Sequence, residues 1–278
     1  MSINSGEVQE SAPAATFIHP TALVEKGAEL GVGVRIGPYA LIGAKVKLDD
    51  GVEISAHCVV NGRTQVGART KVWPFASLGS SPQDLKYRGE DSQLIIGSDN
   101  MIREYVNISL GTEGGGGLTQ LGSANLLMVY THIAHDCIIA DNCIFANGVS
   151  LGGHVAVASS AVFGGHCAVH QFVRIGTMAM LAGGAIVVQD VPPYCTVHGN
   201  HAAPHGLNVV GMRRAKLTNA EISALKSCYR LLYQANLSLA KASEQIAQTV
   251  PASAGRDEFL YFLMNPIAEE KKQRGICR

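Results

Sequence analysis

From Leu121 to Val187 an aliphatic or aromatic residue returns at every sixth position. The series runs through Leu127, Ile133, Ile139, Phe145, Leu151, Val157, Phe163, Val169, Ile175 and Leu181 without a miss. Four positions after most of them stands a small or β-branched residue, as at Thr131, Cys137, Cys143, Val149, Val155 and Ala161. A period of six is neither the helix period, near 3.6, nor the strand period of two. It is the hexapeptide repeat of a parallel β-helix, each hexad being one short strand and a turn. Three hexads make one triangular coil, so residues eighteen apart stack along the axis. This arithmetic sets His135 beneath Gly153 and Gln171, and Asp136 beneath His154 and Phe172.

The same period begins at Ile18 and runs through Val24, Leu30, Ile36, Ile42, Leu48, Ile54, Val60, Val66 and Val72 to Leu78. It stops at Gly79, resumes at Ile96, Ile102 and Ile108, and breaks again at a glycine-rich stretch. Residues 17–191 therefore read as a β-helix with loop excursions at 79–93 and 111–118. Loops inserted into a solenoid cluster on one face, often the binding face. Pro192-Pro193 ends the ladder, because proline has no N–H to donate. Residues 194–217 read as irregular. Thr218 and Glu221 then form a capping-box pattern, with Ile222, Leu225, Tyr229, Leu232 and Tyr233 at helical spacing behind it. Further helices are predicted near 238–249 and 256–264. The expected fold is mainly β, a parallel β-helix followed by a C-terminal α-helical domain over 192–278. Residues 1–16 read as a disordered leader that is not a signal peptide. A triangular prism has flat, partly apolar outer faces, and packing three prisms together would bury them. A symmetric homotrimer is expected.

Hydrophobic residues make up 47% of the chain and charged residues 16%, which is ample for a core. The formal net charge of zero is unevenly spread. From Pro192 onward eleven Lys/Arg face six Asp/Glu, an asymmetry that points to a charged partner for the basic end. No stretch reaches the roughly 18 apolar residues of a transmembrane segment, so the cytoplasm is the expected location. There is no GxxxxGK[ST] and no strand-to-helix GxGxxG, which excludes nucleotide binding by those devices, and no nucleic-acid partner is expected. The seven cysteines include no CxxC pair, and Cys58, Cys137, Cys143 and Cys167 fall at the small inward position of a hexad, where a thiol is packing.

The strongest candidate for chemistry is His132-Ile133-Ala134-His135-Asp136. Imidazole titrates near neutrality, so a histidine beside a carboxylate can serve as a general base. The carboxylate can fix its tautomer and stabilise the imidazolium. Gly153, one coil above His135, allows close approach of a substrate and can offer its N–H to an oxyanion. His154, His170 and Gln171 add polar groups on neighbouring coils. Other readings remain open. Turns of a solenoid are polar simply because they meet solvent. Several histidines can share a metal at a subunit interface, as in β-helical carbonic anhydrases. A solenoid can also present a flat binding face with no catalysis. From sequence alone the run Arg213, Arg214, Lys216 reads first as a solvated stretch before a helix.

HIAHDC (132–137), AVHQF (168–172), QDVPPY (189–194), GNHA (199–202) and SPQDLKY (81–87) together resemble the UDP-N-acetylglucosamine 3-O-acyltransferases of lipid A synthesis. The resemblance covers Phe17 to the end of the chain. It implies a left-handed β-helix and a homotrimer with active sites between subunits. An (R)-3-hydroxyacyl chain would move from the phosphopantetheine of acyl carrier protein to the sugar 3-hydroxyl, with no metal and no other cofactor. On this resemblance His135 is the general base, Asp136 orients it, and Gly153 N–H holds the oxyanion. Gln83, Asp84 and Lys86 hold the sugar. His132, His154, His170 and Gln171 line the site, and Asn208 and Arg214 reach the nucleotide or the phosphopantetheine arm. Gly183 stands where the far end of the acyl chain lies. Ser109-Leu110, Val210 and Ala215 depart from the family pattern, which bears on uridine and diphosphate recognition. The N-acyltransferases later in the same pathway carry a domain before their hexads, whereas here the hexads start near residue 17.

Overall fold

The computed structural model describes residues 15–266 and 273–278. The leader expected at 1–16 lies outside these residues except for its last two. The repeat builds a left-handed parallel β-helix whose three faces are sheets of 11, 9 and 8 strands. Phe17–Ile18 opens the first face, Leu23–Val24 the second and Glu29–Leu30 the third. Register follows the sequence arithmetic: Phe17 pairs with Arg35, Arg35 with Glu53 and Glu53 with Lys71. Lys71 then pairs with Met101 and Met101 with Leu126, so the excursions lengthen just two coils and leave the ladder in step. In the two-residue strands the second residue points inward. Ile36, Ile42, Leu48, Ile108, Leu127, Leu151 and Leu181 are at most 1% exposed. Burying each such side chain contributes about 1.5–3 kcal/mol, and the ladder repeats that gain coil after coil. Phe145 and Phe163 stack inside with centroids 4.5 Å apart.

The turns are as regular as the strands. The third residue of most turns is left-handed, and Asp136, His154 and Phe172 hold φ of 60°, 62° and 66°. Such φ values disfavour side-chain-bearing residues, and the ladders on either side hold them in place. Burial raises the thiol pKa of Cys58 to about 11 and of Cys137 to about 12, so both are protonated packing groups at neutral pH.

Two boundaries differ from the sequence reading. The strand before the first excursion runs Ser77–Ser80 and the next begins at Gln93, while the second excursion contains a 3-10 turn, Glu113–Gly115, and ends at Leu118–Leu121. Residues 194–217 are also more ordered than expected. Cys195–His198 adds to the first face, with Leu181 opposite Val197, and turns back antiparallel as Ala203–Leu207. The β-helix thus continues past Pro193 into the segment read as irregular, inside the domain boundary drawn at 192. Four helices follow: α1 (Val209–Arg214), α2 (Asn219–Tyr233), α3 (Leu239–Thr249) and α4 (Ala254–Met264). The capping box at the start of α2 forms as read, with Thr218 N donating to Glu221 Oε2 at 2.7 Å and Glu221 N to Thr218 Oγ1 at 3.2 Å. Polar ties join this cap to the last coils. Glu258 of α4 accepts from Thr177 and from Tyr194 Oη at 2.6 Å. Arg174 donates to Asp190 Oδ2 at 2.8 Å and to Asn265 O at 2.5 Å. Among the described residues no helix is long and apolar enough to cross a membrane.

Candidate active site

Both excursions leave the prism at one edge, between the second and third faces. His135 and Asp136 occupy that edge on the coil above the second excursion, between His132–Ile133 and Ile138–Ile139. Gly153 and then Gln171 follow at the spacing of stacked strands, about 4.8 Å per coil. The eighteen-residue arithmetic therefore holds at the site. His154 N donates to His135 O at 3.0 Å, and Phe172 N to Gly153 O at 3.1 Å. A Cβ on Gly153 would stand 2.7 Å from His135 Cε1, so the imidazole lies over that glycine and leaves no room for a side chain.

His135 Nδ1 donates to Asp136 Oδ2 at 2.7 Å. A carboxylate oxygen accepts, which leaves Nε2 as the basic nitrogen. The structure buries Asp136, with 1% of its side chain exposed against 15% for His135. The second excursion closes over it. Thr112 N donates to Asp136 Oδ1 at 2.8 Å and Thr112 Oγ1 to Oδ2 at 2.6 Å. Asp136 N donates to Thr119 Oγ1 at 2.8 Å. Gly115 packs against the carboxylate so closely that a Cβ there would overlap it. His154 Nε2 lies 3.7 Å from Oδ2, its ring edge-on to His135 and stacked 4.4 Å from Phe172.

The other expected residues divide into four groups. His132 is half-buried, shares its Nδ1 with Asn107 Oδ1 at 2.8 Å, and is held below the usual histidine pKa by burial and then by the nearby His135. Both effects favour its neutral form. His170 and Gln171 lie on the same edge two coils above His135, where Gln171 O accepts from Arg274 Nε at 2.9 Å and from the His170 ring at 3.1 Å. Gln83, Asp84 and Lys86 sit on the first excursion, where Lys86 N donates to Asp84 Oδ1 at 2.9 Å. Asn208, Arg214 and Gly183 do not join them. Asn208 caps α1 by accepting from Gly211 N at 2.9 Å and ties it to Met178 O at 2.9 Å, beside the third face. Arg214 is exposed on α1. Gly183 lies between the first and second faces. Sequence reasoning missed Thr112 and Thr119, whose only signal is a pair of hydroxyls flanking the glycine run.

Residues 119–153 match the bacterial transferase hexapeptide family, and residues 190–277 match the second domain of the UDP-N-acetylglucosamine O-acyltransferases. Over nearly the whole chain the structure is similar to a UDP-N-acetylglucosamine acyltransferase, LpxA, from Bacteroides fragilis. The two are 34% identical with a TM-score of 0.90, covering 94% of this chain and 100% of that one. The chain belongs to the UDP-N-acetylglucosamine acyltransferase family. The LpxA of Moraxella catarrhalis is 36% identical, with a TM-score of 0.89 over 94% of this chain and 99% of that one. An Arabidopsis family member is 34% identical, with a TM-score of 0.82 over 94% and 100%. Membership makes the protein an acyltransferase, and it gives the His135–Asp136–Gly153 edge a chemistry to be read against.

Proposed function

We propose that this protein transfers an (R)-3-hydroxyacyl chain from acyl carrier protein to the 3-hydroxyl of UDP-N-acetylglucosamine, opening lipid A synthesis in the cytoplasm. The observation that carries the reading is the His135–Asp136 pair set directly under Gly153 in a chain of this family. His135 Nε2 removes the proton of the sugar hydroxyl as its oxygen attacks the thioester carbonyl carbon. Gly153 N–H receives the oxyanion. The intermediate collapses as the C–S bond breaks, and the imidazolium returns the proton to the departing thiolate. Asp136 stabilises that imidazolium. The donor brings its own phosphopantetheine, so the protein needs no further cofactor. The first test is release of the carrier thiol from hydroxyacyl carrier proteins. It must depend on UDP-N-acetylglucosamine, and the absence of release at every chain length overturns the reading.

The active unit in this reading is a homotrimer. Gly183 lies on another edge of the prism than His135, Asn208 beside the third face and Arg214 on α1, so a neighbouring copy would bring them to the site. One edge also carries a stripe that suits burial: the rings of Tyr39, His57, Phe75, Tyr105 and Tyr130 stack at centroid spacings of 4.9–5.1 Å, and the four non-histidine rings are 45–62% exposed.

Arg213, Arg214 and Lys216 are all exposed at the end of α1. Acyl carrier protein is acidic, and a positive cap steers such a partner. Reversing all three charges is expected to raise KM for the carrier protein, most clearly at low salt, where screening is weak. An unchanged KM with unchanged salt dependence removes the cluster from the docking site.

A metal-dependent reading has one observation in its favour: ligand atoms of His135, Asp136 and His154 lie within 4.8 Å of one another. Against it, the Asp136 oxygens are already engaged by Thr112 and His135. Exhaustive chelation is expected to leave turnover unchanged; loss of activity restored by added Zn²⁺ favours the metal.

A further inference from the structure

We propose that Thr112 is a positioning residue of the transfer reaction, holding the Asp136 carboxylate in the one orientation that serves His135. The inference rests on the reading of His135 as general base. A carboxylate buried to 1% of its side-chain surface requires donors, because an unsolvated charge is costly. Besides Thr112, His135 Nδ1 donates to Oδ2 at 2.7 Å, and a second imidazole nitrogen, His154 Nε2, stands 3.7 Å from it on the coil above, outside hydrogen-bond range. A rotation of the carboxylate would exchange one imidazole for the other. Thr112 blocks that rotation by gripping both oxygens, Oδ1 through its backbone N–H and Oδ2 through its hydroxyl.

The grip is built rather than incidental. Thr112 is 7% exposed, and Thr119, 1% exposed, fixes the Asp136 backbone from the other end of the same excursion. Gly115 lets the intervening turn, Glu113–Gly115, close down on the carboxylate. The excursion has Thr112 and Thr119 as its two anchors on one aspartate, twenty-four and seventeen residues downstream respectively. This gives the glycine-rich segment a task in the reaction: it orients the group that orients the base.

Thr112→Val removes the hydroxyl at nearly constant volume and keeps the backbone N–H. Misplacement of a catalytic group by about 1 Å can cost about 10²-fold. The valine variant is therefore expected to lose kcat by 10- to 100-fold, roughly, with KM for both substrates unchanged. Thr112→Ser, which keeps the oxygen, restores most of the rate. The Nδ1 proton of His135, observed by ¹H NMR in its hydrogen bond to Asp136, shifts or broadens in the valine variant and not in the serine variant. If Thr112→Val does not fold, Gly115→Ala takes its place, since its Cβ must push the excursion and Thr112 off the carboxylate. It carries the same expectation of reduced kcat at constant KM. Wild-type kcat in the tested variant overturns the proposal, as does an equal loss in valine and serine variants, or a lowered Tm with kcat retained. His135→Ala is measured alongside. If that variant is active, the base assignment fails; if it is inactive while the Thr112 variant turns over normally, only the positioning role fails.

Discussion

Replacing His135 with alanine is expected to lower kcat by about 10²–10⁴-fold, the usual contribution of a general base, while leaving the fold intact. The imidazole lies in a turn, outside the inward ladder of Ile133, Leu151 and Val169 that holds these coils together. Among the described residues its side chain bonds to Asp136, which keeps both Thr112 donors when the ring is gone. Stability is therefore largely retained and the loss falls on the chemical step. KM for UDP-N-acetylglucosamine should change little, because the hydroxyl still reaches the edge but has nothing to take its proton. Steady-state kinetics together with circular dichroism checks this. Near-wild-type turnover in a folded variant removes His135 as the base.

Gly183→Met is expected to shift donor preference toward shorter chains by on the order of a hundredfold. Gly183 stacks over Gly165 and Asn147 on the edge between the first and second faces, where the account places the far end of the acyl chain. Its backbone does not require glycine: it lacks a left-handed φ, and a Cβ would meet nothing closer than Gly165 O at 3.5 Å. The adjacent Gly184, at φ 70°, is the one that supplies the left-handed turn. A methionine at 183 therefore fits the free chain and fills space that a long donor would use. Each methylene excluded from the groove forfeits about 0.8 kcal/mol, and forcing a long chain past the thioether adds strain. The wild type should accept donors of around fourteen carbons, and the variant should favour donors several carbons shorter. The ratio of kcat/KM for ten- and fourteen-carbon donors, measured in both proteins, decides the point. An unmoved ratio means that Gly183 does not set chain length.

The parts of the structure that obey the repeat were legible residue by residue. Ile133 pointing inward, His135 under Gly153 and Asp136 under His154 all follow from counting six and eighteen. Legibility fails where the count fails. Thr112 reaches Asp136 across a glycine-rich insertion that no periodicity spans. The burial of Asp136 was missed for the same reason, since the cover belongs to the excursion and not to the coil. The strand Cys195–His198 was hidden because Leu181 pairs with Val197, sixteen residues on, so the phase slips by two at Pro192-Pro193. The cap that Asn208 forms did have a local signal, an asparagine directly before Val209 at the N-cap position.

The central claim is that this edge of the prism acylates a specific sugar hydroxyl. The most direct test is to incubate the purified protein with UDP-N-acetylglucosamine and a series of (R)-3-hydroxyacyl carrier proteins, and to identify the product by tandem mass spectrometry. The expected product is heavier by one hydroxyacyl ester, carried on the 3-oxygen, and no product is expected from the 3-deoxy sugar nucleotide. Absence of acyl transfer from every donor, or undiminished transfer to the 3-deoxy analogue, contradicts the claim.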